Sequence, residues 1–161
     1  SSTCGADVSR VEEAARAFYD AFVRKDGEAM AALYADAASF SDPVFPSLTA
    51  REARDMWRML LKRGKDLRVS YELKSSDTRM ARVEWQAWYT FGKTGRAVHN
   101  IITADLEIEN GLIVRHNDKF NFWRWSRQAL GPLGLILGFT PVVRNAVRAQ
   151  AARSLSAFQK E

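Results

Sequence analysis

His116 and Asp118 stand two residues apart in the last stretch of the chain that alternates like a strand. Side chains alternate between the two faces of a strand, so this pair shares a face with apolar residues: Leu112, Val114, Phe120 and Phe122. A carboxylate and an imidazole are costly to bury unless they are paired or used. The sequence therefore predicts either a structural pair or an acid–base pair. A carboxyl group in an apolar pocket has a raised pKa, which suits proton transfer near neutral pH.

Turn lengths predict what surrounds this pair. A four-residue loop at 92–95 pairs Ala87 with Asn100 and Trp85 with Ile102. For the next hairpin, a three-residue loop with Gly111 in a bulge keeps the apolar alternates on one face, whereas a two-residue Asn110-Gly111 turn would split them. The three-residue loop predicts these pairs: Ile108 with Leu112, Ala104 with His116, and Ile102 with Asp118. Asn100 is then expected on the same face as His116 and Asp118, where it could orient a substrate oxygen.

Further candidates allow two interpretations each. Asp42, before Pro43, is either a second catalytic carboxylate or a residue that ends a strand and starts a turn. Three tyrosines, Tyr19, Tyr34 and Tyr89, could donate hydrogen bonds to a ligand oxygen or belong to the core. The aromatic residues Trp85, Tyr89 and Phe120 could line a ligand pocket or simply pack.

The remaining patterns predict an α+β fold. Capping boxes at Ser9 and Thr49 each open a helix, with a short helix between them. Strands follow from Leu67, and the last is expected to run to about Trp125. Thr140 and Pro141 begin a final helix. We expect a single domain over 1–161: a cone-shaped, curved antiparallel sheet with three N-terminal helices on its concave face (core about 8–125), then a C-terminal lid and helix (126–161).

Composition narrows the partners. The chain has 161 residues, a net charge of +5 and a single cysteine, Cys4, which excludes an intrachain disulfide and a cysteine-based metal cluster. We expect no metal or other cofactor, and cytoplasmic localisation without a signal peptide. Nucleic acid is not favoured because the basic residues are spread along the chain. A membrane partner is not favoured either, although the apolar segment 131–139 leaves interfacial binding open.

Two segments resemble the nuclear-transport-factor-2-like superfamily, which includes ketosteroid isomerases, SnoaL-type polyketide cyclases and limonene epoxide hydrolases. The first is Tyr34-Ala35-Asp36-Ala37-Ala38 followed by a strand ending at Asp42-Pro43. The second is Gly111-Leu112-Ile113 leading to Asp118. The resemblance covers roughly residues 8–125 and implies a hydrophobic pocket for a small molecule, with a homodimer formed through the outer face of the sheet.

The resemblance transfers only part of the family's chemistry. Asp42 falls at the position of the isomerase general base, but the isomerase's two oxyanion donors would fall at Phe18 and near Ala104, which cannot donate. Asp118 falls where cyclases and epoxide hydrolases place a carboxylic acid, and His116 completes a cyclase-type His-x-Asp pair. The Arg-x-Asp of the epoxide hydrolases has its nearest counterpart at 82–84, on the opposite face. These features favour a cofactor-free isomerase or cyclase, with a non-catalytic binding or interaction domain and an epoxide hydrolase as alternatives.

Overall fold

The computed structural model describes residues 2–161 in six helices and six strands; Ser1, where the predicted domain begins, lies outside the described residues. The helices are α1 (Ser2–Val23), α2 (Gly27–Ala32), α3 (Ala50–Arg63), α4 (Phe122–Leu130), α5 (Pro132–Leu137) and α6 (Pro141–Gln159). The strands are β1 (Tyr34–Ser41), β2 (Leu48–Thr49), β3 (Arg68–Ser76), β4 (Met80–Phe91), β5 (Arg96–Glu109) and β6 (Leu112–Lys119).

One curved, unclosed sheet carries the fold, in the strand order β2-β1-β6-β5-β4-β3. β1 runs parallel to β6, and the other neighbouring strands are antiparallel. The N-terminal helices α1 and α3 pack on this sheet, and the main core lies between them. The predicted α+β class is confirmed.

The two capping-box predictions have different outcomes. At α3 the box is present: the backbone N–H of Glu52 donates to Thr49 Oγ1 at 3.3 Å, and Glu52 Oε1 accepts from the Thr49 N–H at 3.0 Å. At α1 the prediction is wrong, because the helix begins at Ser2 and Ser9 lies inside it. No proline interrupts the residues before Ser9, so the helical backbone extends through them.

The predicted register is correct for one hairpin and wrong for the next. β4 and β5 pair Trp85 with Ile102 and Ala87 with Asn100, as expected. β5 and β6 instead pair Ile108 with Ile113, and then Leu106 with His116 and Ala104 with Asp118.

The cause is a two-residue turn followed by a bulge. Asn110 and Gly111 both have positive φ, 52° and 77°, which is the backbone of the turn that the prediction rejected. Val114 is the extra residue between the paired positions 113 and 115. Consequently Ile113 is buried and Leu112 is exposed, yet beyond the bulge His116 and Asp118 return to the inner face.

The last strand is shorter than predicted, because β6 ends at Lys119 and α4 begins at Phe122. Asn121 caps this helix, its side chain accepting from the Arg124 N–H at 2.9 Å. The buried residues of α4 recur at helical spacing: Phe122, Trp125, Ser126 and Ala129. Trp123 therefore lies on a helix and not on the predicted continuation of the last strand.

The C-terminal helices close one end of the cone. A second apolar cluster joins α4 and α6 to the end of the β4–β5 hairpin, with Val98, Phe122, Trp125, Ala129 and Val143 buried together. Further along α6, Leu155 enters the main core. α6 begins at Pro141, as predicted.

Candidate functional site

A continuous chain of hydrogen bonds runs through the core from α3 to β6. The indole Nε1 of Trp57 donates to the Tyr34 hydroxyl at 2.8 Å. That hydroxyl lies 2.7 Å from His116 Nδ1, and His116 Nε2 lies 2.8 Å from Asp118 Oδ1. Alternation along β6 places both of its residues inward, and β1 delivers Tyr34 from the neighbouring strand. Trp57 and Tyr34 therefore position the candidate acid–base pair through hydrogen bonds.

The directions of these hydrogen bonds follow from the number of partners. Burial raises the pKa of the Tyr34 hydroxyl well above its ordinary value, so this group stays protonated. Trp57 can only donate to it, so His116 Nδ1 is the partner in the network that can accept the hydroxyl's own proton. The other nitrogen of His116 then carries the N–H and donates to Asp118 Oδ1. The network fixes the His116 tautomer, with a hydrogen bond aimed at the carboxylate.

Aromatic rings enclose the His116 imidazole. Trp57 stacks over it at 6.0 Å between ring centroids and 20° between planes, while Phe18 and Phe40 meet it edge-on at 5.5 and 4.9 Å. The imidazole is almost completely buried. Packing on three sides restricts rotation of the ring, so the hydrogen bond to Asp118 has a fixed direction.

Asp118 keeps one oxygen free. Oδ1 accepts from His116 and receives a longer contact, 3.5 Å, from the Trp85 indole N–H. Within residues 2–161, Tyr19 and Ser126 hold the fully occluded side-chain polar atoms that lack a partner. Asp118 Oδ2 and the Asn100 side chain also make no hydrogen bond within the described residues. One oxygen of the buried Asp118 carboxyl group is thus left for another partner.

The Tyr19 hydroxyl is an unused donor in the same region. It is fully occluded without a hydrogen-bond partner among the described residues. Burial raises the pKa of this hydroxyl well above its ordinary value, and the negative charge of Asp118 raises it further. An unsatisfied buried hydroxyl costs about 1–3 kcal/mol. The Tyr19 hydroxyl is therefore an unpaired donor near enough to Asp118 for that charge to raise its pKa.

Asp42 forms the turn that one of its two interpretations predicted, and its carboxyl group is also buried. Its Oδ1 accepts from the backbone N–H groups of Val44 and Phe45 at 2.7 and 2.5 Å, which builds the turn after β1. Burial nevertheless raises the pKa of this carboxyl to about 7, and the charge of Asp118 adds to the rise while the two N–H groups oppose it. The turn explains its position, and the pKa makes it a candidate proton carrier at neutral pH.

The raised pKa of Asp42 predicts a pH-dependent stability. Since its folded pKa of about 7 lies above the unfolded value of about 3.9, the protonated carboxyl stabilises the fold at low pH, and this contribution is lost as pH rises through 7. Asp42→Asn stays uncharged and can accept the same two N–H groups. We expect its free energy of unfolding, relative to the parent protein, to rise between about pH 4 and 7 in urea titrations.

The control for this titration is Asp36→Asn, at a side chain that is fully exposed. The burial of Asp42 would not explain the stability profile if Asp42→Asn and the parent protein lost stability in parallel across that range.

Two other predicted binding residues, Tyr89 and Phe120, lie near α4, which we call the closing helix. Tyr89 accepts a 2.7 Å hydrogen bond from the Trp125 indole on α4, and Phe120 packs beside both apolar clusters. Burial raises the pKa of the Tyr89 hydroxyl, with a smaller contribution from the charge of Asp42. Tyr89 thus lies at the junction between the Asp42 turn and α4, where a moving helix would change its contacts.

The structure shows no open pocket at Asp118 in either of its two described surface depressions. Two shallow depressions lie against α1, and neither is lined by Asp118. Asp118 is buried, so a ligand reaches it only if surrounding side chains move. No three His, Cys, Asp or Glu side chains within residues 2–161 come close enough together to hold a metal ion. Within the same range, no helix has the length and apolar character that a bilayer span requires.

Sequence reasoning found His116 and Asp118 but missed the residues that support and close the site. Trp57 was not among the candidate residues, although a buried indole N–H needs an acceptor, which could have suggested a polar partner. Tyr34, considered either as a donor to a ligand oxygen or as a core residue, has its hydroxyl hydrogen-bonded to Trp57 and His116. Trp125, expected to end a strand, instead holds Tyr89 from α4.

The family model of the SnoaL-like domain matches residues 15–116, and the chain belongs to this family. The fold described above is that of nuclear-transport-factor-2-like proteins. No curated protein matches the chain in sequence.

Three solved structures illustrate the similarity. An epoxide hydrolase of the limonene-epoxide-hydrolase-like (LEH-like) type from M. tuberculosis is 17% identical over 81% of this chain and 97% of its own, with a TM-score of 0.62. A proposed polyketide cyclase from Xanthomonas campestris is 21% identical over 76% of this chain and 98% of its own, with a TM-score of 0.63. A ketosteroid isomerase-like protein from Erwinia carotovora is 19% identical over 71% of this chain and 95% of its own, with a TM-score of 0.57. At these identities the similarity establishes the fold and leaves the reaction open.

The structure also places the residues that depart from the family chemistry. Phe18 and Ala104 are buried inside the cone and have no donor to offer an oxyanion. Arg82, part of the nearest counterpart of the epoxide-hydrolase motif, forms an ion pair with Asp105 at 2.8 Å on the outer face. That arginine therefore points away from Asp118, as the sequence predicted.

Proposed function

We propose that this protein is a cofactor-independent acid–base catalyst that acts on a small apolar molecule bearing a carbonyl group. One observation carries the proposal: His116 fixes one oxygen of the buried Asp118 carboxylate, while the other oxygen makes no hydrogen bond within the described residues. Membership of the SnoaL-like family supports a small-molecule-binding or cofactor-free enzyme at the coarser level. The apolar walls would desolvate the reacting groups and hold them in place.

The residues suggest an order of events. The free oxygen of Asp118 takes a proton from the carbon next to the carbonyl, and the C–H electron pair moves into an enolate. Tyr19, whose hydroxyl has no partner, and Asn100 donate hydrogen bonds to the enolate oxygen. Asp118 then returns the proton to the same or another carbon, which restores the carbonyl. His116 holds the carboxylate throughout, and Asp42 is a candidate for a second base.

Deuterium uptake tests the proposal without knowledge of the natural substrate. The protein is incubated in D₂O with a bicyclic ketone, 2-tetralone, and exchange at the carbon next to the carbonyl is followed by NMR. Binding is measured separately by quenching of tryptophan fluorescence. Exchange above the buffer rate that is lost in Asp118→Asn and kept in Asp36→Asn supports the proposal; exchange that Asp118→Asn retains in full contradicts it.

A non-catalytic ligand-binding domain is the second candidate. The observation that favours it is the closed interior, in which Trp57, Tyr34 and His116 form a continuous chain of hydrogen bonds to the buried Asp118. This candidate predicts binding of the ketone with no exchange above buffer. It also predicts that Asp118→Asn changes only affinity.

We also propose that the outer face of the sheet forms a homodimer. This face exposes Ile101 and carries Trp88, whose ring stacks on His99 at 4.6 Å and lies under Arg68. Such a mixture of aromatic and apolar groups is typical of interfaces. We expect Ile101→Glu to convert a dimer into a monomer in sedimentation velocity, whereas Leu112→Glu, on an exposed apolar residue at the β5–β6 turn, should leave the dimer intact.

A monomeric parent protein at micromolar concentration would contradict the proposed dimer. Dissociation by both substitutions to the same extent would place the interface elsewhere.

A further inference from the structure

The segment between α4 and α6 exposes an unusual amount of apolar surface. Its large apolar side chains extend into solvent over ten residues, with Ile136 64%, Phe139 72% and Val142 76% exposed. The others are Leu133, Leu135 and Leu137. We call residues 133–142 the apolar segment. Soluble monomers rarely leave so many large apolar groups together in water, and such patches mark interaction surfaces.

Basic residues accompany the apolar segment and acidic ones do not. Residues 119–160 contain seven Lys and Arg and no Asp or Glu, while the rest of the chain has 17 basic and 19 acidic residues. The positive charge of the whole chain therefore originates in this region. Such a separation favours an anionic partner.

Contacts place several of these charges next to the apolar segment. Arg127 lies over the Trp123 ring at 4.8 Å, and the Trp123 indole donates to the Leu135 carbonyl at 3.2 Å. On the other side, Arg144 lies over the Phe122 ring at 5.1 Å. Arg96 donates to the Gln128 carbonyl at 2.8 Å, at the junction of α4 and α5. Arginines and a tryptophan thus surround apolar tips, which is the arrangement of a surface that enters the headgroup region of a bilayer.

We propose that the apolar segment inserts into the interface of an anionic lipid bilayer and that the surrounding arginines bind the lipid headgroups. Sequence reasoning did not favour a membrane partner; the exposure seen in the structure changes that assessment. A second copy of the chain fits less well, because face-to-face contact would bring two sets of arginines together. No helix within residues 2–161 suits a transmembrane span, so the contact is peripheral.

The proposed surface adjoins the closing helix. α4 carries Trp123 toward the apolar segment and Trp125 toward Tyr89 at the end of the cone. A bilayer bound here would face the same end of the protein through which α4 closes the interior. The proposal does not depend on catalysis, since it rests on exposure and charge alone.

Vesicle sedimentation with the full chain tests it. We expect the protein to bind vesicles containing one-third phosphatidylserine in phosphatidylcholine, and to bind pure phosphatidylcholine far more weakly. Ile136→Asp with Phe139→Asp should lower the partition coefficient ~10-fold or more, because it removes inserted apolar area and adds negative charge. The matched control is Leu112→Asp, at the β5–β6 turn and 38% exposed, which should not change it.

Charge and self-association give independent readouts. Arg127→Gln and Arg144→Gln should each weaken binding ~5-fold, and high salt should weaken it strongly. Equal binding to both vesicle types, or unchanged binding by the double aspartate variant, would overturn the proposal. It would also be overturned if the parent protein ignored vesicles and the double variant lost a dimer in sedimentation velocity, because the occupant would then be a second copy.

Discussion

Replacing Asp118 by asparagine is expected to lower deuterium exchange on the bound ketone by ~10²- to 10⁴-fold, the usual contribution of a positioned general base. The substitution is nearly isosteric, and the asparagine oxygen can still accept the hydrogen bond from His116 Nε2 that Asp118 Oδ1 accepts at 2.8 Å. What disappears is the free carboxylate oxygen, which becomes an NH₂ group that cannot take a proton. The fold and ligand binding should therefore survive while exchange is lost.

A parallel experiment decides which carboxylate carries the proton. Asp42 has a pKa of about 7 and is influenced by the charge of Asp118, so it is the natural competitor. If Asp118 is the base, Asp42→Asn should keep most of the exchange and alter mainly its pH dependence around 7. If Asp42→Asn abolishes exchange and Asp118→Asn does not, the roles are reversed. Binding measured by fluorescence separates either outcome from loss of the ligand site.

The common face of His116 and Asp118 could be predicted although their partner strand was misaligned. Prediction set Asp118 opposite Ile102, and the structure sets it opposite Ala104. A displacement of two residues keeps every side chain on its face, whereas a displacement of one would have turned the pair outward. The prediction of which residues lie on the inner face was thus less sensitive to error than the prediction of the register. The bulge at Val114 leaves no signature in the sequence, because it appears only once the Asn110-Gly111 turn and the buried face have to be reconciled.

The elements that close the site were harder to predict for a different reason. Phe120 and Phe122 continue the alternation of β6, while Phe122, Trp125 and Ala129 fit a helix equally well. The Asn121 cap decides between them, through one hydrogen bond to the Arg124 N–H. The contact between Trp57 and Tyr34 joins residues that are 23 positions apart, so neither local pattern could reveal it. Periodicity shows which side chains point inward, and tertiary packing determines which of them meet.

Trp57→Ala is expected to cost about 3–5 kcal/mol of the free energy of unfolding, the range for removing a fully buried tryptophan. The side chain is 2% exposed and packs against aromatic rings on several sides, including Phe22 at 5.0 Å and the stacked His116 at 6.0 Å. Its loss would leave a cavity in the centre of the cone. It would also remove the indole N–H that donates to the Tyr34 hydroxyl. That hydrogen bond helps to orient the Tyr34 hydroxyl so that it donates to His116 Nδ1.

A second substitution at the same position separates packing from hydrogen bonding. Trp57→Phe keeps most of the ring and removes the N–H, so it should cost about 1–3 kcal/mol. Leu60→Ala, on the same helix at a side chain that is 38% exposed, should cost less than either and serves as the control. Unfolding in urea is best followed by far-UV circular dichroism, since the mutations change the fluorescence. Equal stabilities of Trp57→Ala and Leu60→Ala would show that the ring encloses His116 without stabilising the fold. A loss of deuterium exchange in Trp57→Phe at nearly unchanged stability would instead show that the Trp57 hydrogen bond positions Asp118 through Tyr34 and His116.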